Sequence, residues 1–213
     1  LSIAPIVKLI ETVTNSKPGG YMVFFPSFKY LKMVHEAYTR INPNKNVVME
    51  YRSMNDEQRQ VFLQKFDGNQ VCGFAVMSGV FSESIDLKGD RLIGAIIIGV
   101  GLPGLGIERD IISQQFGGKG FEFAYQYPGI VRVIQTAGRV IRSDQDEGVI
   151  CLVDCRFREE RYKQLLPEHW QLKYSDSVDD LKRGLFDFWD QRGNRAFRRP
   201  RCRPDIESRF PVV

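Results

Sequence analysis

The chain has 213 residues, 43% of them hydrophobic, so it is long enough to form one domain with a full core. Its 30 basic and 26 acidic residues leave a net charge of only +4, which excludes a strongly basic, histone-like binder of nucleic acid. No apolar run approaches the roughly 18 residues that a membrane span needs, and no signal peptide opens the sequence. We therefore expect a soluble intracellular protein.

Strand-like apolar runs alternate with helical periods along the chain. In chain order, the predicted elements are a helix at 1–14, a strand at 21–25, a helix at 26–38, a strand at 46–51, a helix at 55–66, strands at 71–77 and 92–99, a helix at 128–143, a strand at 148–154 and a helix at 178–191. Apolar runs without alternation are typical of parallel strands with helices on both faces. The sequence therefore predicts an α/β fold with a parallel sheet. We expect one domain, 1–191, followed by a basic, disordered tail, 192–213.

The four cysteines form no CxxC pair and have no histidine at a spacing that suggests a zinc knuckle. Cys151 and Cys155 flank the strand-like run ICLVDC, whereas iron–sulfur ligation favours cysteines clustered in a loop. We predict that all four, which are Cys72, Cys151, Cys155 and Cys202, are buried thiols in a reducing compartment and that the chain holds no metal site.

The strongest functional signal is the pattern Gln135-x-x-Gly138-Arg139-x-x-Arg142, within the predicted helix 128–143. At 100° per residue the apolar side chains of this helix fall on one face, while Gln135 and the arginines form a stripe on the other. Glycine in a helix interior costs about 1 kcal/mol relative to alanine, so Gly138 suggests that another group approaches the backbone closely. The alternative is an ordinary solvated face whose arginines pair with surface carboxylates.

Two further segments place polar side chains where ligands gather in parallel sheets, at the ends of strands. Segment 77–90 follows a buried strand and contains Ser78, Glu83 and Asp86; the alternative is a turn stabilised by its own side chains. Segment 24–31 places Ser27 and Lys29 at a strand-to-helix junction, where free N–H groups can hold a phosphate. Simple helix capping is the alternative there.

These three segments resemble motifs of superfamily-two helicases. The Gln135 pattern matches motif VI, written QxxGRxxR, and the wider stretch QTAGRVIRSDQDEGVICLVDCRF is similar to the DinG/XPD branch. Segment 77–90 is similar to motif V, G-x-F-x-E-G-I-D, with Ser84 where that pattern usually has glycine, and segment 24–31 is similar to motif IV, FFPSY. The resemblance spans roughly 20–166 and implies the second, RecA-like motor domain of such a helicase.

The resemblance also implies a role for each motif residue. Arg139 and Arg142 would be arginine fingers, because a guanidinium is always charged and its fork can hold two phosphoryl oxygens at once. Gln135 would contact the γ-phosphate or the attacking water. Gly138, Glu83 and Asp86 would lie on the nucleotide side of the site. Ser27, Lys29 and Ser78 would contact DNA phosphates.

The sequence contains neither GxxxxGKS/T nor an acidic DExH-type box. We therefore expect ATP and its Mg²⁺ to be held mainly by an absent first motor domain, and the isolated chain to be inactive. The implied partners are that first motor domain and single-stranded DNA, along which the family translocates 5′ to 3′. We expect no iron–sulfur cluster in this chain, no membrane contact, and a cytoplasmic location, nucleoid-associated in a bacterium.

Two other functions remain open. The same sheet and the basic tail are compatible with a non-enzymatic nucleic-acid-binding module. The pattern Gly99-x-Gly101-x-x-Gly104 formally satisfies the dinucleotide fingerprint, which would indicate a nicotinamide-dependent enzyme. It does not open the first βαβ unit, and Glu122, at the right distance for the acidic residue, does not end a predicted strand. We interpret these glycines as a loop.

Overall fold

The computed structural model of the chain describes residues 2–68, 70–83, 87, 91–139, 147–193 and 211–212. Its strands are β1 (Gly20–Phe25), β2 (Val47–Met49), β3 (Val71–Val76), β4 (Gly94–Ile98), β5 (Val149–Val153), β6 (Gln171–Leu172) and β7 (Pro211–Val212). They form one sheet in the order β2-β3-β1-β4-β5-β7-β6, and each described pairing is parallel. The five predicted strands and their parallel arrangement are confirmed.

Helices connect the strands. They are α1 (Ile3–Thr14), α2 (Phe28–Ile41), α3 (Asp56–Gln64), α4 (Val80–Glu83), α5 (Ile107–Gln115), α6 (Tyr127–Ala137), α7 (Glu160–Lys163) and α8 (Val178–Gly193). A π-helical turn, Glu122–Gln126, runs directly into α6, and 3-10 turns occupy Gly117–Lys119 and Cys155–Arg158. None of the described helices is long and apolar enough to cross a membrane.

The sheet separates two hydrophobic cores, because successive side chains of a strand point to opposite faces. In β1, for example, Val23 and Phe25 belong to one core and Met22 and Phe24 to the other. The first core is completed by α1, α2 and α8, and the second by α3, α4, α6 and the segment around α7. Helices therefore cover both faces of the sheet, as the continuous apolar runs of the strands predict.

The helix starts follow from capping residues that the sequence displays. The side chain of Ser27 accepts a hydrogen bond from the backbone of Tyr30 at the start of α2. Asn55 forms a capping box with Gln58 at the start of α3. Ser177 accepts from the Asp180 backbone N–H at the start of α8. Each such cap satisfies an otherwise unpaired N–H group.

Several sequence predictions differ from the structure. The predicted helix 128–143 ends at Ala137, and α8 extends to Gly193, two residues past the predicted end of that helix at 191. Of the predicted tail, the structure describes the end of α8 and the short strand β7. Cys72 and Cys151 are buried as predicted, and burial raises the pKa of both thiols. The prediction for Cys155 is wrong, because the 3-10 turn after β5 leaves it exposed; Cys202 lies outside the described residues.

Candidate functional site

Two of the sequence-predicted site residues lie in one open cleft at the carboxyl edge of the sheet. Ser27 follows β1 and Ser78 follows β3, and these neighbouring parallel strands end at the same edge. Both serines are exposed and line a cavity of about 570 Å³. The structure therefore brings together the segments that resemble motifs IV and V.

Ser27 is the N-cap of α2, with extended backbone at φ −160°. Its oxygen accepts a hydrogen bond from the Tyr30 N–H at 3.2 Å, which leaves its O–H group able to donate to a ligand in the cleft. Lys29, in the first turn of α2, is exposed but is not among the described residues that line the cavity. Both residues lie at a helix N-terminus, which favours anions.

The floor of the cleft contains a buried carboxylate that sequence reasoning missed. Glu50 follows β2, is only 3% exposed, and accepts hydrogen bonds from the backbone N–H groups of Val76 (2.8 Å) and Val80 (3.2 Å). These two donors flank the turn that carries Ser78 and Gly79. A Cβ on Gly79 would collide with both carboxylate oxygens of Glu50. Glu50 therefore fixes the shape of the turn after β3.

Burial raises the pKa of the Glu50 carboxyl above its ordinary value of 4.5. Hydrogen bonds from Val76 and Val80, and the nearby charge of Arg59, offset only part of that rise. Arg59 also lines the cleft and forms an ion pair with Asp56 at 2.9 Å, one helical turn away in α3. The single sequence signal for Glu50 is an acidic residue directly after the apolar run of β2.

The polar side of the motif VI segment begins on α6 with Gln135 and continues with Arg139, directly after the C-cap of the helix. Ile130, Val133 and Ala137 are buried in the core, while Gln135 is exposed and Arg139 is half-buried. The predicted division into an apolar and a polar face is confirmed for the described part of this segment. Arg142 lies outside the described residues.

Two glycines fix the start of α6 against the loop after β4. A Cβ on Gly101 would lie 2.5 Å from the Gly129 carbonyl oxygen, and one on Gly129 would lie 2.6 Å from the Val100 oxygen. Gly101 also has a φ of 67°, which favours glycine. Arg132 adds a long hydrogen bond, 3.5 Å, from its guanidinium to the Gly101 carbonyl. The loop thereby sets the position of the helix that carries the polar stripe.

The structure corrects the interpretation of Gly138. It is the C-cap of α6 and not a residue of the helix interior, so the helix-interior penalty does not explain it. Its φ is −63°, and an added Cβ would meet its nearest neighbour, the Ile134 carbonyl oxygen, at an ordinary 3.4 Å. Nothing in the described part of the chain therefore requires glycine at this position.

The short helix α4 connects the two parts of the site. It begins two residues after Ser78 and packs against α6, where Phe81 joins the core that holds Ile130 and Val133. Glu83 is the last residue of α4. Asp86 lies outside the described residues, as does Ser84.

The glycines that formally match a dinucleotide fingerprint lie in a loop. Residues 99–106 contain no regular element, Gly99 and Gly101 have positive φ, and α5 begins only at Ile107. The interpretation as a loop is confirmed. Within the described ranges, no group of three or more His, Cys, Asp or Glu side chains is placed to hold a metal ion.

Comparisons with known proteins agree with this arrangement. The helicase C-terminal domain family matches residues 10–173. A probable ATP-dependent helicase of Methanocaldococcus jannaschii is 25% identical over 171 residues, which cover 72% of this chain and 25% of that protein. A homolog of regulator of telomere elongation helicase 1 from Aedes aegypti is 30% identical over 187 residues, which cover 78% of this chain and 17% of that protein. The chain thus spans a quarter or less of the length of these relatives.

Among solved structures, an XPD helicase superposes with a TM-score of 0.64 at 20% identity, over 76% of this chain and 30% of that one. This likeness confirms the predicted RecA-like fold, a parallel sheet with helices on both faces. The family match covers most of the chain, including all three motif segments. The chain belongs to the helicase C-terminal domain family and is of the DinG/XPD type.

Proposed function

We propose that this chain is the second motor domain of an ATP-dependent DNA helicase that translocates 5′ to 3′. In this proposal, ATP and Mg²⁺ are held mainly by a first motor domain, and the polar face of α6 closes on them. The observation that carries the proposal is the exposed Gln135 on α6, together with the half-buried Arg139 that directly follows the C-cap of this helix.

Arg139 and Arg142 act as arginine fingers on the phosphoryl group that is transferred. Charge spreads over the equatorial oxygens of that group, and a guanidinium binds two of them without losing its proton. Gln135 orients the attacking water or contacts the γ-phosphate. These side chains offer N–H donors, which suit an anionic triphosphate.

Gly138 supports a close approach to this surface. Because neither its φ nor its neighbours require glycine, the lack of a side chain leaves room for a group from outside the described part of the chain. We assign that group to the nucleotide or to the facing surface of the first motor domain. An exposed glycine at the end of α6 allows either to lie against the backbone.

Single-stranded DNA lies across the carboxyl edge of the sheet. Ser27 and Ser78 donate their hydroxyl protons to backbone phosphates in the cleft that they share, and Lys29 adds a positive charge beside it. Glu83 and Asp86 couple this contact to ATP. The packing of α4 on α6 supports such coupling, since α4 joins the Ser78 turn to the helix that carries Gln135.

Steady-state ATP hydrolysis by the full-length protein, with single-stranded DNA present, tests the proposal. Arg139→Ala and Arg142→Ala should each reduce kcat by at least about 10³-fold, the range that arginine fingers contribute. Affinity for single-stranded DNA should stay close to that of the unchanged protein. The matched control is Arg183→Ala, which removes an exposed arginine paired with Asp180 on α8.

Near-normal hydrolysis by the Arg139→Ala and Arg142→Ala variants would contradict the finger role. If hydrolysis is normal in these variants while Ser27→Ala and Ser78→Ala abolish DNA binding, the chain acts as a non-enzymatic nucleic-acid-binding module instead.

A further inference from the structure

The loop Tyr51, Arg52, Ser53 and Met54, which we call the 51–54 loop, forms another wall of the cleft that holds Ser27 and Ser78. It follows β2, the strand at one edge of the sheet, and leads into the capping box of α3. None of the three helicase motif segments includes it. Its first three residues are exposed, so their side chains are available to a ligand in the cleft.

Arg52 places a cation beside the serine pair. Its guanidinium carbon lies 5.4 Å from the centre of the Phe28 ring, and Phe28 directly follows Ser27. Within the ranges that the structure describes, no acidic side chain forms an ion pair with Arg52. A guanidinium held over an aromatic ring keeps its N–H fork available for a phosphate.

Tyr51, the residue before Arg52, adds an aromatic ring to the lining of the same cleft. The residue is 44% exposed, and it lines both the cleft and a neighbouring groove of about 480 Å³ that runs along α3. The acidic Glu57 and the basic Lys65 both line that groove. An exposed ring between two open cavities, with Arg52 as the next residue in the chain, suits the stacking of single-stranded bases.

The residue that precedes the loop, Glu50, holds its start in place. The Glu50 backbone N–H donates to the Phe74 carbonyl at 2.8 Å, and the Glu50 side chain is fixed beneath the β3 turn. Ser53 adopts a left-handed φ of 64°, a conformation that costs a non-glycine residue about 1–2 kcal/mol. Strained residues of this kind are typical of ligand-contacting loops.

We propose that the 51–54 loop is an additional contact for single-stranded nucleic acid, in which Arg52 binds a backbone phosphate and Tyr51 stacks on an unpaired base. This inference rests on the proposed function, since it extends the strand already assigned to Ser27 and Ser78. A single strand is the occupant that fits, because a duplex keeps its bases stacked on each other and offers none to Tyr51.

The phosphate contact is tested by the salt dependence of binding. In the full-length protein, Arg52→Ala should weaken binding of a fluorescent oligothymidylate several-fold. The slope of log K against log salt should become shallower by about 0.7, the value for one lost phosphate contact on a single strand. The control is Arg40→Ala, an exposed arginine at the other end of α2, which should leave both quantities unchanged.

The stacking contact is tested with an abasic strand. Tyr51→Ala should weaken binding of the oligothymidylate by about 5- to 150-fold, the range for one lost stacking contact. It should leave binding of an abasic strand of the same length unchanged. Tyr51→Phe, which keeps the ring, should restore normal affinity, and the melting temperatures of all variants should match because the side chain is exposed.

The outcomes separate this inference from the proposed function. If Ser27→Ala and Ser78→Ala weaken binding while Arg52→Ala and Tyr51→Ala do not, the 51–54 loop is no contact and the inference is overturned alone. An equal loss on abasic strands would overturn the stacking contact. If all four variants bind normally, the cleft does not hold nucleic acid, and the DNA path of the proposed function fails as well.

Discussion

The site has two parts, the cleft that holds Ser27 and Ser78 and the motif VI segment at the end of α6, and one glycine in each shows how they differ. Gly79, in the cleft, is required by the chain itself, since a Cβ there would collide with the buried Glu50 carboxylate. Gly138, at the end of α6, has ordinary φ and ordinary neighbours, so the described chain does not require it. The cleft is thus shaped by its own residues. Within the described residues, the end of α6 shows no such internal requirement, as expected of a surface that is completed by another domain.

The largest effect on stability is expected from Gly79→Ala. The added Cβ must displace the Glu50 carboxylate, which breaks its hydrogen bonds to Val76 and Val80. We expect a loss of about 2–4 kcal/mol in the free energy of unfolding. Hydrogen bonds to charged groups contribute about 1.5–3 kcal/mol each, and relaxation of the surrounding structure recovers part of what is lost. Denaturant titration of the chain measures it. Unchanged stability would show that the turn after β3 is not fixed by Glu50.

Replacement of Glu50 by glutamine tests the same contact more mildly. Both partners of the carboxylate are N–H donors, and a carboxamide has only one acceptor atom, so one buried N–H group loses its partner. At neutral pH we expect the free energy of unfolding to fall by about 1–3 kcal/mol. The neutral carboxamide avoids the cost of burying a charge, which offsets part of the loss. Glu57→Gln, on the exposed side of α3, is the control and should change little.

The stability difference between the unchanged protein and Glu50→Gln is expected to increase as the pH falls. The folded-state pKa of Glu50 is raised by burial, so at pH values between 4.5 and that raised pKa the folded chain binds more protons than the unfolded chain. The unchanged protein should therefore gain stability relative to Glu50→Gln as the pH falls through this window. If the stability difference between the unchanged protein and Glu50→Gln becomes smaller as the pH falls, the folded-state pKa of Glu50 is lowered instead of raised.

The smallest effect on stability is expected from Gly138→Ala. With φ at −63° and no described residue crowding the new Cβ, the substitution should change the free energy of unfolding by less than about 0.5 kcal/mol. ATP hydrolysis by the full-length protein should nevertheless fall, because the methyl group occupies space that we assign to the nucleotide or the first motor domain. Normal hydrolysis would mean that neither of them approaches the backbone at Gly138.

Much of the fold could be predicted from the sequence, because its signals are local. Apolar runs indicate the five central strands, and Ser27, Asn55 and Ser177 cap helices where their residue types predict. The short helices α4 and α7 span four residues each and have no period to detect. The helix α5 has no buried residue, so its sequence lacks the apolar stripe that identifies a helix.

The site was predictable only in part. The motif segments indicate Ser27, Ser78, Gln135 and Arg139, but the sequence does not show that the first two share a cleft. Glu50 could not be assigned, because its partner Val76 is 26 positions away and the contact exists only once β2 and β3 pair. The position of Gly138 was misjudged because the apolar period continues past the point where the helix ends.

The central claim is that Arg139 acts on ATP held by another domain, and single-turnover hydrolysis tests it most directly. With the full-length protein in excess over labelled ATP, Arg139→Ala and Arg139→Lys should bind ATP within a few-fold of normal. Both should slow the chemical step by at least about 10³-fold, because a lysine ammonium lacks the planar fork with which a guanidinium binds two phosphoryl oxygens side by side. Normal chemistry in either variant, or a defect confined to ATP binding, would contradict the account.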